Sequence, residues 1–172
     1  NTLYHIIKAD NCTNLLIERC VLRNADADLG APSSERFGGG LFLYSVSHST
    51  ITNTIISNNK VLYQGGFSDG KGGGIYMYVS HFNKIYATLK YNSAGWSGGG
   101  IDMENAQSNH MSVILEYNFA TNVDAPASSY GGGINMSSSA GNMIQNSYLH
   151  NNFANYGGGI FVQNISETRI IN

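Results

Sequence analysis

Charge is scarce in this chain. Of its 172 residues only 12% are Asp, Glu, Lys or Arg, and the formal net charge is −2. With nine Lys plus Arg and no basic cluster, nothing is present to neutralise a phosphate backbone, so nucleic acid is not an expected partner. Long hydrophobic runs are missing too. No stretch approaches the roughly 18 apolar residues that cross a bilayer as a helix, so no transmembrane segment is expected. The sequence opens on Asn1 without Met or a signal-like segment, and any targeting signal is expected to have been removed or to lie elsewhere. Cysteine is down to two residues, Cys12 and Cys20, which either form a small staple or stay as thiols. The five histidines lack metal-ligand spacing, and no Ser/His/Asp grouping, phosphate-binding loop or dinucleotide fingerprint occurs. Neither a metal nor a cofactor is therefore expected.

What is present is 42% apolar residues in a length suited to one domain with a real core, under a surface dominated by Asn, Ser, Thr, Tyr and Gly. The glycines are not scattered. Triplets begin at Gly38, Gly72, Gly98, Gly131 and Gly157, spaced by 34, 26, 33 and 26 residues, and each is followed by Leu or Ile. Such periods mark a repeat architecture. Alignment on the residue after each triplet gives a first column of Ile7, Leu41, Ile75, Ile101, Ile134 and Ile160. Two residues on stand Ala9, Leu43, Met77, Met103, Met136 and Val162, and ten on stand Ile17, Ile51, Ile85, Met111 and Ile170. Fourteen on stand Val21, Ile55, Leu89, Leu115 and, after one inserted residue, Leu149. Then comes an Asn column, Asn24, Asn58, Asn92, Asn118 and Asn152, with Ala94, Ala120 and Ala154 two residues later. Length varies only between that step and the next triplet, in connections 26–37, 61–71 and 121–130.

Alternating apolar positions, β-branched and aromatic residues, and frequent Asn, Gly and Ser predict short strands. One turn of chain per repeat stacks coils about 4.8 Å apart, each strand pairing in parallel with its counterpart in the next coil. The expected fold is all-β, a right-handed parallel β-helix of about six coils spanning residues 1–172, with handedness following the rule for parallel crossovers. Leu-x-x-Asn steps occur, but a leucine-rich repeat also needs an aliphatic residue two before the Leu, where Ala87, Val113 and Ser147 stand. The middle glycines Gly39, Gly73, Gly99, Gly132 and Gly158 and the corner residues Asn58, Asn92, Asn118 and Asn152 are expected to be structural. Glycine there permits positive φ or close stacking of coils, and Asn amides bond to the Asn above or below.

Gly-Gly-Gly-Ile/Leu and the Asn-x-Ala step together resemble the repeat of chlamydial polymorphic outer membrane proteins and autotransporter passengers. In that family a Gly-Gly-aliphatic motif alternates with a Phe-x-x-Asn-like motif, and here Leu89, Leu115 and Leu149 stand where Phe is frequent. The resemblance implies a β-helix of the pectin-lyase-like group, serving in adhesion or surface assembly. That group also contains carbohydrate lyases and hydrolases, and fold alone does not choose among them.

Residues between the inward aliphatics point outward. Phe42, Tyr44, Tyr76 and Tyr78 are expected to form one aromatic patch on neighbouring coils, either a surface for a glycan or protein partner or cross-strand pairs beneath the long connections. Asp102 and Glu104 are same-face neighbours about 7 Å apart, a spacing suited to acid and base in glycoside cleavage or to two oxygen ligands for calcium. They are weak catalytic candidates, because no Lys or Arg is expected on that face. A further outward column brings Lys84, His110 and Arg169 near one another without an acidic partner. Both ends fall inside a coil, so the chain is expected to be a segment of a longer solenoid or to self-associate end to end. These features predict a non-catalytic spacer and adhesive module, extracellular or at a cell surface, binding a glycan or cell-surface protein. The alternatives are a polysaccharide lyase or glycoside hydrolase, and a self-assembling filament subunit.

Overall fold

Aliphatic residues recurring at one place in every repeat are buried cheaply only if like stacks on like, and the chain does this in three parallel sheets. The computed structural model describes residues 4–27, 36–62, 70–122 and 128–172. The first sheet runs through β1 (Ile7–Asp10), β5 (Leu41–Tyr44), β8 (Ile75–Tyr78), β11 (Ile101–Glu104), β14 (Ile134–Ser137) and β17 (Ile160–Gln163). The second joins β18 (Arg169–Ile171), β15 (Met143–Gln145), β12 (His110–Glu116), β9 (Lys84–Lys90), β6 (Thr50–Ser57) and β2 (Leu16–Glu18), with β16 (Tyr148–His150) on β12 and β3 (Val21–Arg23) on β6. The third is narrow: β13 (Phe119–Ala120), β10 (Ser93–Ala94), β7 (Lys60–Val61) and β4 (Asp26–Ala27).

The register of the first sheet is the one the repeat predicts. Ile7, Leu41, Ile75, Ile101, Ile134 and Ile160 pair in sequence along the sheet. Behind them Leu43, Met77, Met103 and Met136 meet Ile51, Ile85, Met111 and Ile144 in one fully enclosed core. Ile144, ten residues on from Ile134, takes the place in that column between Met111 and Ile170. Cys12 and Cys20 are half-buried free thiols at the edge of this core.

The second sheet corrects the count. A β-bulge at Asn53, which has a positive φ of 49°, makes Thr54 pair with Ala87 and Ile56 with Leu89. Ile55 and Val21 therefore face solvent, and Ile56 and Leu22 take the core positions assigned to them. The same extra residue recurs as Arg19 and as Asn146, also left-handed. An extra residue reverses the side of everything after it.

The corner ladder shifts with it. Asn59, not Asn58, stacks with Asn92, Asn118 and Asn152, while Asn58 is an exposed left-handed corner residue and Ala25 takes the place expected for Asn24. In each step the Asn amide nitrogen donates to the Oδ1 of the next Asn, for instance 3.0 Å from Asn92 to Asn118, and to a backbone carbonyl of the preceding coil. A second ladder, unpredicted, joins Asn83, Asn109 and Asn142 at the corner between the first two sheets, with Ser49 donating its backbone N–H to Asn83. These residues stand eight after the first column, a regularity readable from the alignment.

The glycine triplet has two separate reasons. Its first member is left-handed in every case, as at Gly98 with φ +62°. Its middle member has no such φ at Gly132, where a Cβ would instead lie 2.5 Å from the backbone nitrogen and carbon of Phe153.

Candidate ligand-binding face

The outer side of the first sheet carries both expected columns in register. Phe42, Tyr76, Asp102, Asn135 and Phe161 form one, and Tyr44, Tyr78, Glu104, Ser137 and Gln163 the other. A third column, absent from the sequence expectations, consists of the residue before each triplet: Phe37, Lys71, Ser97, Tyr130 and Tyr156, joined by single parallel bridges. Its signal was the fixed position beside the glycines. It was hidden because that residue closes a connection of variable length.

This third column changes the chemistry of the other two. Phe37 lies against Tyr76, ring centroids 4.9 Å apart, and 5.9 Å from Phe42. Phe42 and Tyr76 are consequently only 7% and 4% exposed. The aromatic quartet is thus not an open patch. Its solvent-facing part is Tyr44 and the half-buried Tyr78, stacked at 5.6 Å. Most of the long connections that were candidates to cover or extend the face, residues 28–35, 63–69 and 123–127, lie outside the described residues.

Of the carboxylate pair, Asp102 is covered and Glu104 is half-buried. Asp102 has 0% exposure. Ser97 Oγ donates a short hydrogen bond to Asp102 Oδ2, and Asn135 Nδ2 donates to both carboxylate oxygens at 3.2 Å. Glu104 accepts from Lys71 Nζ at 2.8 Å and from the Tyr76 hydroxyl at 2.9 Å. A lysine therefore does share this face, contrary to expectation, because the third column brings Lys71 in from outside the strand. Burial pushes the Asp102 carboxyl up to about 6, against the opposing pull of the Lys71 charge and the Ser97 and Asn135 hydrogen bonds. Burial also drives the Tyr76 phenol far above its ordinary value, with the Asp102 and Glu104 charges adding to it.

A consequence for stability follows from the sign of the Asp102 shift. The folded protein holds this proton to higher pH than the unfolded chain, whose carboxyl titrates near 3.8. Its contribution is therefore fully favourable below the unfolded value, declines as pH rises through about 4 to 6, and is then level. The gap is worth at most about 3 kcal/mol. Asp102→Asn should remove this part of the pH dependence and melt no lower than the parent at pH 7. Thermal melts from pH 3.5 to 7.5 check it, and a variant keeping the parent's slope would contradict the assignment.

Beside Asp102 the face opens into a shallow hollow of about 190 Å³. Ser97, Asn135 and Ser137 line its polar side, Trp96, Tyr130 and Phe161 its aromatic side, and Lys71 and Gln163 complete it. Tyr130 holds the aromatic side together, with ring centroids 5.8 Å from Trp96, 4.9 Å from Phe161 and 5.3 Å from Tyr156. A larger hollow of about 470 Å³ lies where the second sheet bends at Thr54, Ala87 and Val113, and among the described residues no charged side chain lines it. The expected cation cluster is divided. Lys84 and His110 are neighbours, but Met143 separates His110 from Arg169.

Stacked parallel coils and two Asn ladders define a parallel β-helix, and the outward face of its first sheet carries a polar hollow between aromatic groups. The family model described as a right-handed β-helix region matches residues 1–172, and the chain belongs to that family. No curated protein and no solved structure matches it.

Proposed function

We propose that the chain is a non-catalytic β-helical module, secreted or displayed at a cell surface, that serves as a rigid spacer and binds a glycan through the outer face of its first sheet. The observation that carries this reading is the complete burial of Asp102. General acid or base catalysis requires the group to reach the reacting atoms, directly or through one water. The oxygens of Asp102 are instead committed to Ser97 and Asn135, and the neighbouring Glu104 to Lys71 and Tyr76. The Gly-Gly-Gly-Ile and Asn-x-Ala repeats, similar to those of chlamydial polymorphic outer membrane proteins and autotransporter passengers, support the surface setting.

A polysaccharide-cleaving enzyme is the second reading, favoured by the grouping of two carboxylates, Lys71 and the Tyr76 phenol on one face. Incubation with acidic and neutral polysaccharides, with and without calcium, separates the two by reducing-end and unsaturated-product assays. The binding module should give no turnover. Turnover abolished by Asp102→Asn would reject it in favour of the enzyme.

A further inference from the structure

We propose that the hollow beside Asp102 is a binding site for an uncharged sugar ring of a glycan chain, with Trp96, Tyr130 and Phe161 as the apolar surface and Asn135, Ser137 and Gln163 as hydrogen-bonding partners. The proposal deepens the glycan-binding reading above and rests on it. A pyranose is amphipathic, with a C–H face and a rim of hydroxyls, and it fits best where an aromatic surface adjoins amide and hydroxyl groups. The hollow offers that pairing. Trp96, Tyr130 and Phe161 are all half-buried, so each presents part of its ring to solvent while packing fixes the rest. Asn135 directs its Nδ2 to Asp102 and keeps its amide oxygen as an acceptor for a ligand hydroxyl.

Charge selects the class of sugar. Among the described residues Lys71 is the one cation lining the hollow, its side chain is 14% exposed, and its Nζ is held at 2.8 Å by Glu104. The Asp102 carboxyl lies behind it, hydrogen-bonded to Asn135. Among the described residues, the two coils toward the C-terminus contribute uncharged groups to this face: Tyr130, Asn135 and Ser137, then Tyr156, Phe161 and Gln163. One ammonium facing two carboxyl groups leaves no positive charge for a uronate, sulfate or phosphate. The volume, about 190 Å³, is below the roughly 300–1,000 Å³ of enclosed small-molecule pockets, so the chain would lie across the sheet with one ring seated.

Trp96 is the only tryptophan in the protein, so its emission reports this site selectively. Cellohexaose, mannohexaose, xylohexaose and an oligogalacturonate of equal length are titrated while tryptophan fluorescence is read. Electrophoresis through gels cast with the corresponding polysaccharides reads glycan binding anywhere on the protein. At least one neutral oligomer should shift Trp96 emission saturably, the oligogalacturonate should not, and Tyr130→Ala should weaken binding about tenfold. Gln163→Ala, at an exposed position, gives a weaker but measurable loss even if Tyr130→Ala fails to fold. Gel retardation without an emission change, or unaltered by both substitutions, overturns this site and leaves the glycan-binding module standing. A stronger response to oligogalacturonate overturns the uncharged class. No retardation in any gel, together with no emission change, overturns both the site and the glycan-binding function.

Discussion

Gly132→Ala is expected to destabilise the protein by about 3 kcal/mol or more, although alanine is the smallest change available. The added Cβ would lie 2.5 Å from backbone atoms of Phe153, and Gly132 O already accepts a hydrogen bond from Gly100 N at 3.1 Å. Neither contact has a flexible side chain that could turn away. Relief requires the coil spacing itself to open, which lengthens backbone hydrogen bonds on both sides. Gly141→Asn is the matched control. Gly141 is left-handed, with φ +63°, and the heavy atom nearest to a Cβ there is Ser108 Oγ at 3.3 Å. Its column already accepts Asn14, His48, Phe82 and Ser108 in the same conformation. That substitution should change stability by about 0.5 kcal/mol or less. Denaturant or thermal unfolding of the two variants measures the contrast, and equal midpoints would remove close coil stacking as the reason for the triplet.

The second large effect is expected at Asn118. Its Nδ2 donates to Asn152 Oδ1 at 2.9 Å and to Leu89 O at 3.0 Å, while its Oδ1 accepts from Asn92 N at 3.1 Å and Asn92 Nδ2 at 3.0 Å. The side chain is fully buried, so water does not replace these bonds. Asn118→Ala leaves a carbonyl and amide groups of neighbouring coils unsatisfied, each worth about 1–3 kcal/mol, for an expected loss of about 3–5 kcal/mol. Asn58→Ala should lose only about 1 kcal/mol, because that Asn contributes its tolerance of the left-handed corner and no ladder bond. The pair tests the register directly. If Asn58 proved the costlier site, the bulge at Asn53 would be misplaced.

Much of this architecture was legible in the chain because a solenoid repeats each requirement. Ile75, Ile101 and Ile134 recur where the alignment puts them since every coil buries the same point against the same neighbour. The Asn83, Asn109 and Asn142 ladder is equally regular, each residue standing eight after the first column. Asn58 and Ile55 were misplaced for a different reason. Counting from the triplet assumes equal coil perimeters, and a left-handed bulge residue such as Asn53 changes the perimeter without an obvious signature.

The candidate face was legible only in part. Alternation within strands placed Asp102, Glu104, Tyr76 and Tyr78 on one side, and their register was as expected. Exposure could not be deduced from alternation, because it depends on what crosses above the strand. Phe37 closes over Phe42 and Tyr76, Ser97 and Asn135 engage Asp102, and Lys71 reaches Glu104.

By itself, then, the sequence determined the repeat, the parallel stacking, the inward aliphatic columns and the need for glycine at one corner, since each follows from local periodicity multiplied across coils. The tertiary structure decided which Asn enters the ladder, which aromatics see solvent, and that Asp102 is covered while Glu104 pairs with Lys71. Those outcomes depend on perimeter differences of one residue and on contacts between side chains some 30 residues apart, such as Lys71 and Glu104, separated by 33. No periodicity encodes them, because they arise where successive coils differ.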